Sequence, residues 1–345
     1  MRVSVICDKW EHHAAHSGYD QLCRYVQADR LRKGVIYGIL RKFPRRLNRK
    51  FPDIWENWRV PYHSARELET FVRSLFRRRD IYHFLYGENT VRLLPYIKRR
   101  SSKIVCTFHQ PEEILKKGGQ FHRTISKLDG IVVLARNQVP YYAKFAGPEK
   151  VFFVPHGIDT RRFTPGSGRR DARRLLFVGN WLRDFETLAS IMRELAAVRP
   201  EIVMDAVTLK KNFQFFDGLS NVRCHAGINE EALIGMYREA ALLVMPLIDA
   251  TANNALLEAM ACGLPIVTND VGGVRDYVDD KCACILPASS APAFTEKILA
   301  LLNDEKKRAE MSAAARARAM QYDWSEIARQ MHTVYDTVLK NRDTH

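Results

Sequence analysis

The chain has 345 residues, with 54 Lys and Arg against 39 Asp and Glu, for a net charge of +15. That length exceeds one ordinary compact core, so two domains are expected. A hydrophobic share of 46% and a charged share of 27% exclude a disordered chain, and no apolar run nears the roughly 20 residues that span a bilayer.

Residues 3–7 read as a first strand; the apolar part is too short for a signal peptide, and acidic and aromatic residues follow at once. His12, His13 and His16 come next, with no carboxylate or cysteine at ligand spacing, so no metal site is read there. Residues 16–20, with Ser17 and Gly18, form a loop that opens a helix. A basic stretch then runs from Arg24 to Lys50 and includes Arg45, Arg46 and Arg49, with Val35, Ile36, Tyr37, Phe43 and Phe51 interleaved. Residues 1–150 carry 30 basic and 14 acidic side chains, an excess of +16, so the whole surplus lies there. Such a stretch can lie on an anionic membrane surface, meet a lipid-linked ligand, grip another polyanion, or form a plain solvated face. The membrane or lipid-linked reading is preferred, and no nucleic acid is expected.

Apolar strands follow at 81–85, 104–108, 130–134 and 151–154, with His109 at the carboxyl end of the second of these. A histidine there can hydrogen-bond a hydroxyl or a developing charge. Residues 155–168 are rich in Pro and Gly and read as a linker. Within it, Gly157 is expected to take a positive φ and bring backbone close to a ligand, and Asp159 to cap a turn.

A second strand series is expected at 175–178, 202–207, 222–225, 241–245, 266–268 and 284–286. Helical patterns at 186–198, 230–240 and 254–262 fall between these strands. Near-continuous apolar strands separated by helices imply parallel sheets covered on both faces. The fold class is therefore α/β, with two Rossmann-like lobes and a ligand cleft at the carboxyl ends of the strands. The expected division is 1–155, 156–322, and a final helix at 323–345 that packs back on the first lobe. Asp323 or Ser325 caps that helix.

The densest signal is the stretch 249–273. Asn253 or Asn254 can cap a helix whose first N–H groups bind an anion such as a diphosphate. Glu258 lies one turn in, where a carboxylate can accept hydrogen bonds from two vicinal hydroxyls. Gly263 ends the helix, and Gly272-Gly273 forms a second exposed-backbone loop. The seven cysteines are odd in number, lack a C-x-x-C pair, and read as reduced thiols.

The run Leu257-Glu-Ala-Met-Ala-Cys-Gly-Leu-Pro-Ile-Val267 resembles the donor-binding signature of the large retaining GT-B glycosyltransferases, family four. The resemblance implies that Glu258 holds the ribose of a nucleotide sugar. That family carries an earlier glutamate eight positions upstream; Ala250 stands there, and Asp249 is the nearest substitute for the sugar contact. The stretch 175–188 resembles the family's phosphate loop. Gly179 matches, Asn180 replaces an arginine, and Arg183 stands for the basic residue on the diphosphate. Residues 221–240 resemble the nucleobase segment, with backbone contacts at Gly227 and Ile228. Gly18 matches the glycine loop near the donor phosphates, and His109 matches a histidine facing the donor sugar.

The resemblance thus implies His109, Arg183 and Asp249 as catalytic. It implies Gly18, Gly179, Asn180, Gly227, Ile228, Asn253, Asn254, Ala255 and Glu258 as donor-binding. Arg45, Arg46, Arg49 and Lys50 are the acceptor or membrane contacts. The expected reaction moves a sugar from UDP or GDP to a carbohydrate or lipid-linked hydroxyl, with retention and without metal or cofactor. The expected location is the cytoplasm, or the inner face of the plasma membrane as a peripheral protein. Competing readings are another GT-B enzyme such as an epimerase or phosphorylase, and a nonenzymatic membrane or polyanion binder. An epimerase needs paired cleft carboxylates and a phosphorylase a pyridoxal lysine, and neither has a candidate.

Overall fold

The computed structural model describes residues 1–7, 16–31, 34, 60–76, 79–99, 101–117 and 122–341. Arg45, Arg46, Arg49 and Lys50, with most of the basic stretch, lie outside the described residues. The chain divides into two compact units. The first comprises Met1–Glu11, Tyr19–Val154 and Ile327–His345, and the second His12–Gly18 and Pro155–Glu326.

The first unit is built on a six-stranded parallel sheet in the order β2-β1-β3-β4-β5-β6. Its strands are β1 (Val3–Ile6), β2 (Asp29–Arg30), β3 (Ile81–Phe84), β4 (Lys103–Phe108), β5 (Gly130–Val133) and β6 (Val151–Phe153). β1, β3 and β5 are buried along their whole length, as are five of the six residues of β4. That is the pattern of a parallel sheet with both faces covered. The longer described helices of this part are α1 (Val60–Phe76) and α2 (Val139–Ala146).

The second unit repeats the plan, with a parallel sheet in the order β12-β11-β10-β7-β8-β9. The strands are β7 (Asp171–Val178), β8 (Val203–Val207), β9 (Val222–His225), β10 (Ala240–Met245), β11 (Ile266–Asn269) and β12 (Ala283–Leu286). Its longer helices are α3 (Phe185–Val198), α4 (Glu230–Glu239), α5 (Asn254–Ala261), α6 (Ala291–Asn303) and α7 (Glu305–Met320), and α8 (Trp324–Lys340) begins in this unit. All six residues of the central strand β10 are buried.

The second-unit strands lie where the apolar runs put them, within a few residues. Two differences have plain causes. β2 was missed because it is two exposed polar residues, Asp29 and Arg30, paired with Ser4 and Val5. β7 starts at Asp171 rather than near 174, because Asp171–Arg174 pair with β10 and β8 through backbone while keeping polar side chains. Here Arg174 Nε donates to the buried Asp205 at 2.8 Å.

The final helix is capped by Asp323, whose Oδ1 accepts from Ser325 N at 3.0 Å. From Ile327 onward this helix belongs to the first unit. There the Tyr335 hydroxyl lies 2.7 Å from His83 Nδ1, and His83 Nε2 lies 2.8 Å from Thr107 Oγ1. Burial drives the His83 pKa down to about 3, so this ring is a neutral bridge between two hydroxyls. All seven cysteines are free thiols.

Gly157 departs from expectation. It is not among the residues with positive φ. A Cβ there would lie 2.3 Å from Trp324 Cε3, and the Trp324 ring is fully buried. The glycine is needed for the close approach of that ring rather than for a ligand. Asp159 does cap its turn, with Oδ1 accepting from Arg161 N and Arg162 N at 3.0 Å each. Gly157→Ala is expected to destabilise the second unit by about 1–3 kcal/mol through overpacking, read as a lowered urea midpoint with Trp fluorescence as the probe.

Candidate functional site

Three loops of the second unit meet at the carboxyl ends of β7 and β10. The first follows β7. Gly179 has φ +114, a conformation only glycine adopts readily, and a Cβ there would lie 2.7 Å from an Arg183 nitrogen. Leu182 is also left-handed, with φ +56. This turn folds Arg183 back over the strand end. Its guanidinium donates to Val178 O at 3.3 Å, Trp181 O at 2.9 Å and Asn253 Oδ1 at 3.1 Å. Burial lowers its pKa to about 10, so it stays cationic at neutral pH. Asn180, beside it, is solvent-exposed.

The second loop leads into α5. Asn253 is the N-cap, with Oδ1 accepting from Ala255 N at 3.1 Å. Since Oδ1 also takes the Arg183 bond, the other amide atom is Nδ2, which is buried with no hydrogen-bond partner. Asn254 is half-buried and Ala255 buried. One turn on, Glu258 is buried at 4% exposure, and its Oε2 accepts from the Tyr237 hydroxyl at 2.8 Å. Burial raises the Glu258 pKa to about 7, against hydrogen bonds from Ser17 and Tyr237 and the charge of Arg183.

The third loop is at 249–250 and 270–273. Asp249 Oδ1 accepts from Ala250 N at 2.7 Å, and Gly273 N donates to Ala250 O at 2.7 Å. A Cβ at Gly272 would meet Ala250 O at 2.0 Å and Asp249 Oδ1 at 2.4 Å, and Gly272 has φ +52. The Ala250 side chain is buried in the core. Asp249 thus has its Oδ1 engaged within its own loop.

Gly227 has φ +68 and is exposed, Ile228 is half-buried, and Asn229 caps α4 by accepting from Ala232 N at 2.8 Å. Gly18 is buried and groups with the second unit. His109 lies in the first unit. Its Nε2 donates to Leu85 O at 2.7 Å, and its ring stacks on Tyr86 and meets Tyr19 edge-on, with centroids 4.5 and 4.8 Å away. Its backbone N donates to Glu88 Oε1 at 3.2 Å, and burial raises the Glu88 pKa to about 7.

Arg183, Asn253, Asn254 and Glu258 are thus brought together in one unit, along with Gly179. Sequence reasoning missed Tyr237 from α4 as the partner of Glu258, and the Ser17 carbonyl, more than two hundred residues away in the chain, as the partner of Asn254. No spacing rule connects them.

The topology and the site define a class. Sucrose-phosphate synthase from Thermosynechococcus elongatus superposes on 99% of this chain and 99% of its own, with a TM-score of 0.72 at 17% identity. Anabaena HepE, solved with UDP and glucose, covers 98% of this chain and 100% of its own, with a TM-score of 0.70 at 12% identity. The fold is GT-B. Residues 172–304 match the family model for glycosyl transferases group 1. D-inositol 3-phosphate glycosyltransferase of Xylanimonas cellulosilytica is 26% identical over 251 residues, 64% of this chain and 60% of that protein. That of Geodermatophilus obscurus is 30% identical over 229 residues, 58% of this chain and 50% of that protein. The chain therefore spans about half to two thirds of the length of these relatives. The match to the group 1 glycosyl transferase model lies within the second unit.

Glu258 gives a pH prediction. Its folded pKa of about 7 exceeds the reference value of 4.5. The fold thus favours the protonated form, so its stabilising contribution is complete below the unfolded value and is lost as pH rises through about 7. Glu258→Gln removes this titration. Urea unfolding at a series of pH values is expected to show a shallower loss of stability toward alkaline pH in the variant than in the parent.

Proposed function

We propose that the protein is a retaining glycosyltransferase that moves a sugar from a nucleoside diphosphate, UDP or GDP, to a hydroxyl acceptor. One observation carries this reading: a cation, an unpartnered buried amide N–H and a buried carboxylate converge within one turn of the α5 N-terminus. Arg183, Asn253 Nδ2 and the first N–H groups of α5 suit a diphosphate. Glu258 suits a ribose diol. HepE, of the same fold, was solved with UDP, which agrees with this ligand class.

In the reaction, an acceptor oxygen attacks the anomeric carbon while the bond from that carbon to the diphosphate oxygen breaks. The acceptor proton passes to a departing diphosphate oxygen on the same face, so configuration is retained. No covalent nucleophile is assigned. Arg183 and the helix N–H groups stabilise the charge that grows on the diphosphate, without calling on a metal. His109 is proposed as a further sugar contact, on the family resemblance alone. Asp249 is the remaining sugar contact proposed.

The acceptor is assigned to the first unit, because the entire charge surplus lies in residues 1–150. A lipid-linked or cell-envelope acceptor at an anionic membrane face fits that charge. The related inositol-phosphate glycosyltransferases act, by name, on an anionic polyol. Among the described residues, no helix is long and apolar enough to cross a membrane.

Titration calorimetry with UDP and GDP is the direct test. Glu258→Ala is expected to weaken binding at least about tenfold, the cost of a lost charge-assisted hydrogen-bond pair. Arg183→Ala is expected to weaken it similarly, and to weaken the free nucleoside far less. Unchanged affinity in both variants, with circular dichroism intact, would refute the assignment.

Charge reversal at Arg45, Arg46, Arg49 and Lys50 is expected to abolish salt-sensitive co-sedimentation with phosphatidylserine vesicles. Retained co-sedimentation would remove the membrane role.

A further inference from the structure

In the first unit, α1 turns its sides the opposite way from an ordinary core helix. Arg66, Glu67, Thr70 and Ser74 are buried, while Leu75 is 48% and Phe76 82% exposed. The buried polar groups are bonded within the unit. Glu67 accepts from Arg92 N, Leu93 N and Leu94 N. Arg66 Nη2 donates to Leu31 O at 2.8 Å, Thr70 Oγ1 to Arg66 O at 2.7 Å, and Ser74 Oγ to Phe71 O. At about 3.6 residues per turn these four share one side of the helix. Leu68, Val72, Leu75 and Phe76 form a stripe on the other side, the spacing by which a helix usually faces a core. Leu68 and Val72 are half-buried, and the stripe opens to solvent at Leu75 and Phe76.

Residues 93–99 extend this surface. They lie beside Glu67 at one end, through Leu93 N and Leu94 N, and beside Leu75 at the other, where Arg99 Nη1 donates to Ser74 O and Leu75 O at 3.4 Å each. Leu93 and Tyr96 on this segment are exposed. Among the described residues, Met1 is the one other exposed large apolar side chain of the first unit. The exposed apolar groups are thus gathered rather than scattered, and a gathered patch marks an interaction surface.

The surrounding charge selects the partner. Residues 66–103 carry ten basic and four acidic side chains. Three of the acids, Glu67, Glu69 and Glu88, are buried, whereas Arg73 is exposed. An apolar helix stripe with an exposed aromatic beside it and basic residues around it matches a helix lying in the headgroup region of an anionic bilayer. A second copy of the chain would bring the same positive charge face to face, which opposes that pairing.

We propose that the outward stripe of α1, with Leu93 and Tyr96 beside it, is a docking surface for an anionic lipid bilayer. Phe76 and Leu75 enter the acyl boundary, and the neighbouring cations meet lipid phosphates and carboxylates. The surface consists of described residues, and it stands or falls separately from the stretch at 45–50 and from the donor site.

The test is co-sedimentation of the full chain with phosphatidylserine–phosphatidylcholine vesicles. The double variant Leu75→Ser with Phe76→Ser is expected to bind at least about tenfold more weakly, the scale of losing two inserted apolar side chains. Since both side chains are open to water in the free protein, its urea midpoint and UDP affinity are expected to match the parent's. Phe76→Trp is expected to keep vesicle binding and to add fluorescence that brominated lipid quenches.

Four results would overturn the proposal. The parent chain does not bind the vesicles, the double variant binds undiminished, or the added Trp fluorescence escapes quenching. The fourth is a parent dimer in sedimentation velocity that the double variant loses, because the stripe then meets a second copy. If charge reversal at Arg45, Arg46, Arg49 and Lys50 abolishes binding while the double variant binds like the parent, the membrane role belongs to that stretch and not to α1.

Discussion

The second unit is organised around one constraint: the Glu258 carboxylate is buried inside a helix that starts at the carboxyl end of the central strand. A buried carboxylate is costly unless its oxygens are met. Here the Tyr237 hydroxyl from α4 donates to Oε2, and Arg183 supplies nearby positive charge. Those partners fix the placement of α4 relative to α5. They also account for the fold of the loop after β7, since Arg183 reaches Asn253 only because Gly179 and Leu182 are left-handed. The same burial leaves Glu258 with a pKa of about 7, so its protonation responds to whatever touches it.

The other end of α5 is closed as firmly. Arg170 donates to Tyr237 O, Arg238 O, Ala240 O and Cys262 O, which joins the ends of α4 and α5. Arg316 donates to Phe163 O, Ala261 O and Thr160 O. Ser312 Oγ donates to Gly263 O at 2.6 Å. Carbonyls that a short helix leaves unsatisfied are thus met by cationic groups, which also complement the helix dipole. An eight-residue helix is marginal by itself. Fixed at both ends, it can point its N–H groups in one direction, and a preorganised anion site needs that.

The first unit shows buried polar groups used differently. His83 is neutral and bridges Tyr335 to Thr107. Glu67 accepts backbone N–H bonds from Arg92, Leu93 and Leu94, and desolvation still raises its pKa to about 7. Glu67 and Glu88 terminate local chain turns, and Glu88 also receives the backbone N–H of His109. They position residues around the carboxyl ends of β3 and β4 rather than balance the basic surplus of this half.

Much of the fold was legible in the sequence. β-Branched and apolar runs marked the buried strands, since a parallel sheet covered on both faces leaves little room for polar residues. The α5 segment was legible because capping, helix length and the following Gly-Leu-Pro are local requirements. A cap at Asn253 or Asn254 with Glu258 one turn on follows from spacing, and the structure selects Asn253.

What the sequence could not determine is what distance in the chain hides. Gly157 exists for Trp324, 167 positions later, and a local reading could only assign it to a turn. Asp249 stands beside the position of the missing glutamate, and only the structure shows its Oδ1 on Ala250 N and its loop close against Gly272. Ser17 and His16 looked like part of a glycine loop, and only the fold brings the Ser17 carbonyl to Asn254 and His16 to Glu230. Helix caps and strand burial are short-range consequences of backbone geometry, so composition and spacing determine them. Which buried carboxylate meets which hydroxyl depends on how the strands of a unit and their crossovers bring remote residues together, so only the tertiary structure decides it.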